Sequence, residues 1–274
     1  MARFQHTVTL APVPRRWFES CVVMLHDLAE SLEEDGVRLR LPDGRPLPEL
    51  LLAEGSHLRP GARYRHESGD ADGEPDPDAA LTVLAWDRRR ETVLEIVTLD
   101  SNPHNATHAV CTLRLTSAER PRDAEVSGEM RTSGGSWTKY TSGSGRLHLD
   151  LRKWWPSAAG SGRLTAPPLI GTLDHPLTHA TVKVVPRLAQ DGQWRVTVKV
   201  RVKGRSFARL LLPVAMAVAG RRVRAAFAEA LDHAAESWNG QVPVLVRKDM
   251  ELLRLELIES LFKADEEHKP EASR

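Results

Sequence analysis

The histidines come in two pairs with chemical potential. His104 and His108, and again His175 and His179, stand four apart, the spacing that puts two imidazoles on one helix face for a metal. Pro103 and Pro176 sit beside them in turn-rich sequence, and no CxxC or acidic third ligand stands nearby. They read as loop histidines, of use as proton donors at a pocket mouth, and no metal is expected. Cys21 and Cys111, ninety positions apart, read as small packed hydrophobes rather than as nucleophiles or a disulfide. GxxxxGK[ST], GxGxxG and GxSxG are absent as strings, so the phosphate cradle, the dinucleotide turn and the nucleophile elbow lose their support. No cofactor is expected, and no catalytic residue is assigned.

The aromatic residues carry the remaining chemistry. Tyr64, Trp86, Trp137, Tyr140, Trp154, Trp155 and Trp194 could each stack on a flat ligand, with core or interface packing as the alternative. Trp137 and Tyr140 stand apart because their Gly/Ser-rich surroundings offer little core to bury them. The candidate ligand-binding set is Tyr64, Trp86, His108, Trp137 and Tyr140, of which Tyr64, His108 and Tyr140 could donate hydrogen bonds to a carbonyl.

Charge excludes a general nucleic-acid binder. The 274 residues hold 38 Lys or Arg against 37 Asp or Glu, a formal +1, so only a local patch could attract a polyanion. Residues 183 to 224 supply one, with eleven Lys or Arg against Asp191 alone, a local +10. It reads as a solvated sheet face or as the seat of an anionic partner (lipid, acyl carrier or nucleic acid) around Lys199, Arg201, Lys203 and Arg205. Few cysteines and no charged-then-apolar leader suggest a reduced, cytoplasmic protein. The nearest approach to a transmembrane segment, Leu210 to Ala219, is short and contains Pro213, so none is expected.

These residues need elements to position them. Phe4 to Leu10 alternates as a first strand, and Arg15 to Glu34 repeats apolar residues at three and four steps as an amphipathic helix stopped near Gly36. Val37 to Leu41 alternates, and Pro46 to Leu52 adds a short helix or strand. Strands follow at Ala62 to Glu67, Leu81 to Trp86, Thr92 to Leu99, His108 to Thr116 and Ala124 to Arg131, with an acidic loop from Ser68 to Asp78. Residues 132 to 146 and 156 to 178, rich in Gly, Ser, Thr and Pro, read as long loops around a strand at Leu147 to Arg152. The hairpin Thr181 to Leu188 and Trp194 to Lys203 puts Val196, Val198, Val200 and Val202 on one side and cations on the other. A helix from Ser206 to Asn239 follows, then another from Val246 to Ala264 with a Met250, Leu253, Leu257, Leu261 stripe, and a disordered tail from Asp265.

Leu58 to Tyr64 (LRPGARY), Leu81 to Ile96 (LTVLAWDRRRETVLEI) and Trp194 to Asn239, ending in RVRAAFAEALDHAAESWN, together resemble the START-like superfamily, also called SRPBCC, of polyketide cyclases and lipid-transfer domains. The likeness covers roughly residues 3 to 32, 58 to 131 and 180 to 239. It implies an α+β helix-grip fold, a curved antiparallel sheet gripping a long C-terminal helix, here with loop insertions and an extra C-terminal helix. The domain would span 1–239 with inserted loops at 36–57 and 132–179, followed by 240–274 as helix and tail; two halves joined near 132–146 are the alternative. The resemblance further implies an internal cavity binding a hydrophobic small molecule such as a lipid, sterol or polyketide. Three readings stay open: a carrier, a cyclase or aromatase using the same cavity, and a non-catalytic interaction module using the basic face and the terminal helix, through which a homo-oligomer could form.

Overall fold

The computed structural model describes residues 1–66, 78–100, 106–133, 140–161, 165–205 and 208–268. It is an α+β chain of antiparallel strands with two C-terminal helices, in two compact units. The first comprises Met1–Trp17, Arg122–Arg131 and Ser136–Arg247; the second comprises Phe18–Pro121, Thr132–Gly135 and Lys248–Arg274. No helix among the described residues is long and apolar enough to cross a membrane.

In the second unit the strands β2 (Glu33–Asp35), β3 (Arg38–Arg40), β4 (Pro46–Glu54), β5 (Arg63–His66), β6 (Asp78–Trp86), β7 (Glu91–Asp100) and β8 (Ala106–Thr116) follow one another as neighbours. Each pair is antiparallel, so no crossover helix is needed between them. Helix α1 (Arg15–Glu30) starts in the first unit and contributes Leu28 to this core. Leu28 packs with Leu39, Leu52, Tyr64, Val83 and Ile258 of α4 (Met250–His268). The α1 stripe is rotated from the expected one: Leu25 is exposed, while His26 is buried with Nδ1 at 2.9 Å from the Val22 carbonyl and Nε2 at 2.9 Å from Thr92 Oγ1. A buried imidazole satisfied at both nitrogens replaces a leucine on the inner face. On α4 likewise, Ile258 with Leu257 and Phe262 faces the core and Leu261 does not. Cys21 and Cys111 are both free and half-buried, with Cys21 Sγ 3.8 Å from Met250 Sδ.

The first unit holds β1 (Ala2–Leu10), most of β9 (Asp123–Ser133), β10 (Gly143–Asp150), β11 (Leu169–His175), β12 (Thr178–Leu188) and β13 (Trp194–Gly204), in the order β1-β13-β12-β11-β10-β9. Phe4 lies opposite Val200 and Val182 opposite Val200, so phenylalanine and valines share one face while the cations share the other. Helix α3 (Ala208–Arg247) covers the apolar side of β1 and β13. The Phe4 and Phe227 rings meet at 6.0 Å, and His6 Nε2 lies 2.7 Å from Asp232 Oδ1. Asn239 clasps β1 from both directions: its Nδ2 donates to the Thr9 carbonyl at 2.9 Å, and its Oδ1 accepts from Ala11 N–H at 2.7 Å.

Several expected boundaries move. The segments read as loops, 132–146 and 156–178, contain the start of β10, the end of helix α2 (Leu151–Ala158) and all of β11; residues 134–139 and 162–164 lie outside those described. Glycine and proline misled because Gly143, Gly145 and Gly171 sit inside strands, where a close neighbour fills the space of a side chain. A Cβ on Gly171 would stand 3.2 Å from Leu147 Cδ1, and one on Gly143 3.2 Å from the Asp174 carbonyl oxygen. The strand expected to run to Arg152 stops at Asp150, whose carboxylate accepts from Lys153 N–H at 3.2 Å and caps α2. α1 ends at Glu30, and Gly36, at φ +63°, makes the β2–β3 turn instead of stopping the helix. α3 runs through Asn239 and Gly240 to Arg247, and α4 reaches His268. Of the acidic loop expected from Ser68 to Asp78, residues 68–77 lie outside those described and Asp78 opens β6; residues 269–274 also lie outside them.

Two outcomes test this packing. Phe4→Ala, which empties a buried ring site under α3, should lower stability by about 3 kcal/mol in a denaturant melt. Burial works to raise the Asp150 pKa, but the Lys153 ammonium 2.6 Å away, the Lys153 N–H and Arg152 together hold it below the usual carboxylate range. A depressed folded pKa stabilises above the unfolded value near about 3.9 and loses that contribution as pH falls through the folded one. Asp150→Ala should therefore cost about 1–2 kcal/mol at pH 7, with the difference from wild type shrinking in acid; a constant difference down to pH 2 would contradict the cap.

Candidate functional site

The sequence-selected residues are not brought together. Trp137 lies outside the described residues. Tyr64, Trp86 and His108 belong to the second unit and Tyr140 to the first. Tyr64, 3 % exposed, is bound on all sides: its hydroxyl donates to His57 Nδ1 at 2.8 Å and accepts from Leu58 N–H at 2.9 Å, while His57 Nε2 donates to the Ala29 carbonyl at 2.8 Å. Burial pushes the hydroxyl above its usual pKa, with the Leu58 N–H opposing and the Glu34 charge adding to it. Leu58 holds a left-handed φ of 56°, a strained conformation for leucine that this bond secures. Tyr64 is thus a structural pin. Trp86 stacks at 4.8 Å on His26 and donates Nε1 to Glu30 at 2.9 Å, in a cluster with Arg88. His108 is exposed on β8 opposite Leu99.

Tyr140 alone lies beside a surface with an unmet requirement. Its carbonyl accepts from His175 Nε2 at 2.7 Å, at the end of β11. On the same side of the sheet, Val126 faces Leu147, Leu147 faces Gly171, and Gly145 lies between Gly128 and Leu173. Val126, Met130, Leu147 and Leu173 are 38 %, 47 %, 40 % and 54 % exposed. The glycines supply no side chains, so the leucines lie flat across them, Leu173 Cδ1 standing 3.6 Å from the Cβ position of Gly145. α3 covers this face at β1 and β13. α2 packs on β12 and β10, Ser157 Oγ donating to the Pro186 carbonyl at 2.5 Å and Trp154 meeting Trp194 edge-on at 5.8 Å. What they leave is a glycine-floored apolar bed, bordered by helices, with four large side chains in solvent.

The opposite face is cationic. A cleft of about 540 Å³ opens over β1, β12 and β13, lined by Lys183, Lys199, Arg201 and Lys203 together with His179 and Thr181. His179 is a strand residue here rather than a loop one. Its Nδ1 donates to Asp174 at 2.8 Å, which leaves Nε2 to accept from the Thr181 hydroxyl at 3.3 Å. Arg205 Nη2 also binds Asp174, so this arginine is neutralised rather than free within the expected anionic-partner set. The His179 hydrogen bond, with Arg205 assisting against slight desolvation, holds the Asp174 carboxyl below its usual range. His175, whose Nδ1 accepts from Leu177 N–H at 3.2 Å, has partners unlike those of His179. Among the described residues no group of three or more His, Cys, Asp or Glu could hold a metal.

Sequence reasoning missed the apolar bed because its signal, the alternating Val126, Gly128, Met130 and Gly143, Gly145, Leu147, is broken by glycines that read as turns. Asp174 and Thr181 carried no local signal; cross-strand pairing alone brings the first to His179.

Tyr64→Phe should lower stability by about 1–3 kcal/mol in a denaturant melt, since it strips Leu58 N–H and His57 of a buried partner; an unchanged melt would contradict the pin. No family model, no curated protein and no solved structure matches this chain.

Proposed function

We propose that the protein binds a hydrophobic small molecule on the apolar face of the β1, β13–β9 sheet, beside α3 and above the glycines of β10 and β11. The observation that carries this is the exposed bed of Val126, Met130, Leu147 and Leu173. A contiguous apolar surface of this kind gains roughly 25 cal/mol for each Å² that a ligand takes out of water. The helix-grip reading belongs to the same proposal. Its support is that the first strand pairs with the last and that the helix following the last strand lies on the apolar side of both. A flat or chain-like ligand suits a bed whose leucines lie flat over the glycines beneath them.

Leu173→Glu tests the reading with little risk to the fold, because the residue is more exposed than buried and surface changes usually cost less than about 0.5 kcal/mol. The variant should melt as wild type does and bind a dansyl-labelled C11 fatty acid at least about tenfold more weakly. Equal affinity of the two proteins for that probe would remove the bed from the account.

A further inference from the structure

The other side of the same sheet points to a second ligand class. Three pairs of like charge lie directly opposite each other across the strands: Arg3 with Arg201, Lys183 with Lys199, and Arg187 with Arg195. Cross-strand like charges destabilise a sheet. No described carboxylate forms an ion pair with any of these six, nor with Lys203, although surface ion pairs are common elsewhere in the chain. A sheet that repels itself at three cross-strand pairs would be relieved by an anion from outside.

The shape of the charge selects among anions. The cations form a strip, not a disc: from Arg195 to Lys203 the track runs along β13 for eight residues, about 26 Å at 3.3 Å per residue. The 540 Å³ cleft lies toward its Lys203 end, and a second hollow, of about 900 Å³, toward the Arg195 end between Arg187, Thr7, Thr9 and Thr197. Thr7 and Thr197 share one hydrogen bond at 2.9 Å, which leaves one of their two hydroxyl protons to donate to a phosphate oxygen. Asp191 is the one carboxylate lining either hollow, and it caps the β12–β13 turn by accepting from Gln193 N–H at 3.0 Å. Val185 is the one aliphatic side chain that the register puts among them, and no Phe, Tyr or Trp of the three strands shares the face. Phe4, Val200 and Leu188, which also line the two hollows, belong by register to the opposite face, so no aromatic ring stands among the cations to stack on a base. A bilayer docked on this strip would also be held on the opposite side of the sheet from the apolar bed.

We propose that this face binds the phosphate backbone of a nucleic-acid duplex, without reading its sequence. A duplex presents one phosphate each 3.4 Å on each strand, so about eight steps span the track. The net charge of +1 provides no long-range steering, so binding is salt-sensitive and local. This inference uses residues on the face opposite Leu173 and stands or falls separately from the apolar ligand.

The test is anisotropy of two unrelated fluorescein-labelled 20-base-pair DNA duplexes between 50 and 200 mM NaCl, with wild type and with Lys199→Glu/Arg201→Glu. Wild type should bind both duplexes alike, with log affinity falling against log salt at a slope of about −4 to −5 for about five phosphates. The double variant should bind at least about tenfold more weakly at 50 mM, with a slope nearer zero by about two, and should melt no lower than wild type because two like-charge pairs are gone. No duplex binding by wild type at 50 mM NaCl would overturn the proposal, as would binding unchanged in the variant. Binding to vesicles with one-third phosphatidylserine in the absence of duplex binding would overturn it in favour of a membrane.

Discussion

The first unit depends on the two-residue period of β1, β12 and β13. Because side chains alternate strictly, one register sends Phe4, Val8, Val196 and Val198 toward α3 and Arg3, Lys199, Arg201 and Lys203 toward water. A slip of one residue would bury the cations, at a cost no helix could offset. α3 then holds this register from outside, through the Phe4–Phe227 contact, the His6–Asp232 bond and the double clasp of Asn239 on the end of β1. The helix needs the sheet equally, since a 40-residue helix containing Pro213 and Pro243 gains little from propensity alone.

That separation gives the sheet two surfaces with different unmet needs. On the apolar side α3 covers β1 and β13 and α2 packs on β12 and β10, and between them glycines of β10 and β11 replace side chains that would otherwise build up the core. On the polar side like charges face each other with no carboxylate paired to them among the described residues. Each departs from the rule that local choices agree with the fold, and such departures are where ligands are expected. The two sets of residues do not overlap, so each surface can be disabled without the other.

The sequence reveals the hairpin of β12 and β13, the strands β5 to β8 and the long helix, because period-two and three-to-four patterns survive in them unbroken, and it reveals β9 despite Gly128. It hides the start of β10, all of β11 and α2, because Gly143, Gly145 and Gly171 look like turn residues and Pro156 looks like a helix breaker. Their glycines answer to close packing against Leu147, Leu173 and the Asp174 carbonyl, which depends on partners distant in the chain. The aromatic residues were misleading for a similar reason. A tyrosine or tryptophan gives no local sign of whether its polar atom is spoken for, and Tyr64 and Trp86 have theirs bonded to His57, Leu58 and Glu30. The chemistry at His179 depends on a cross-strand neighbour, Asp174, that no spacing along the chain would single out.

The apolar bed is the central claim, and native mass spectrometry of the freshly purified protein addresses it most directly. The account predicts a discrete adduct of one small apolar molecule, lost on organic extraction and replaced stoichiometrically when a long-chain fatty acid is added back. A protein that flies at its bare chain mass and takes up no fatty acid would contradict it.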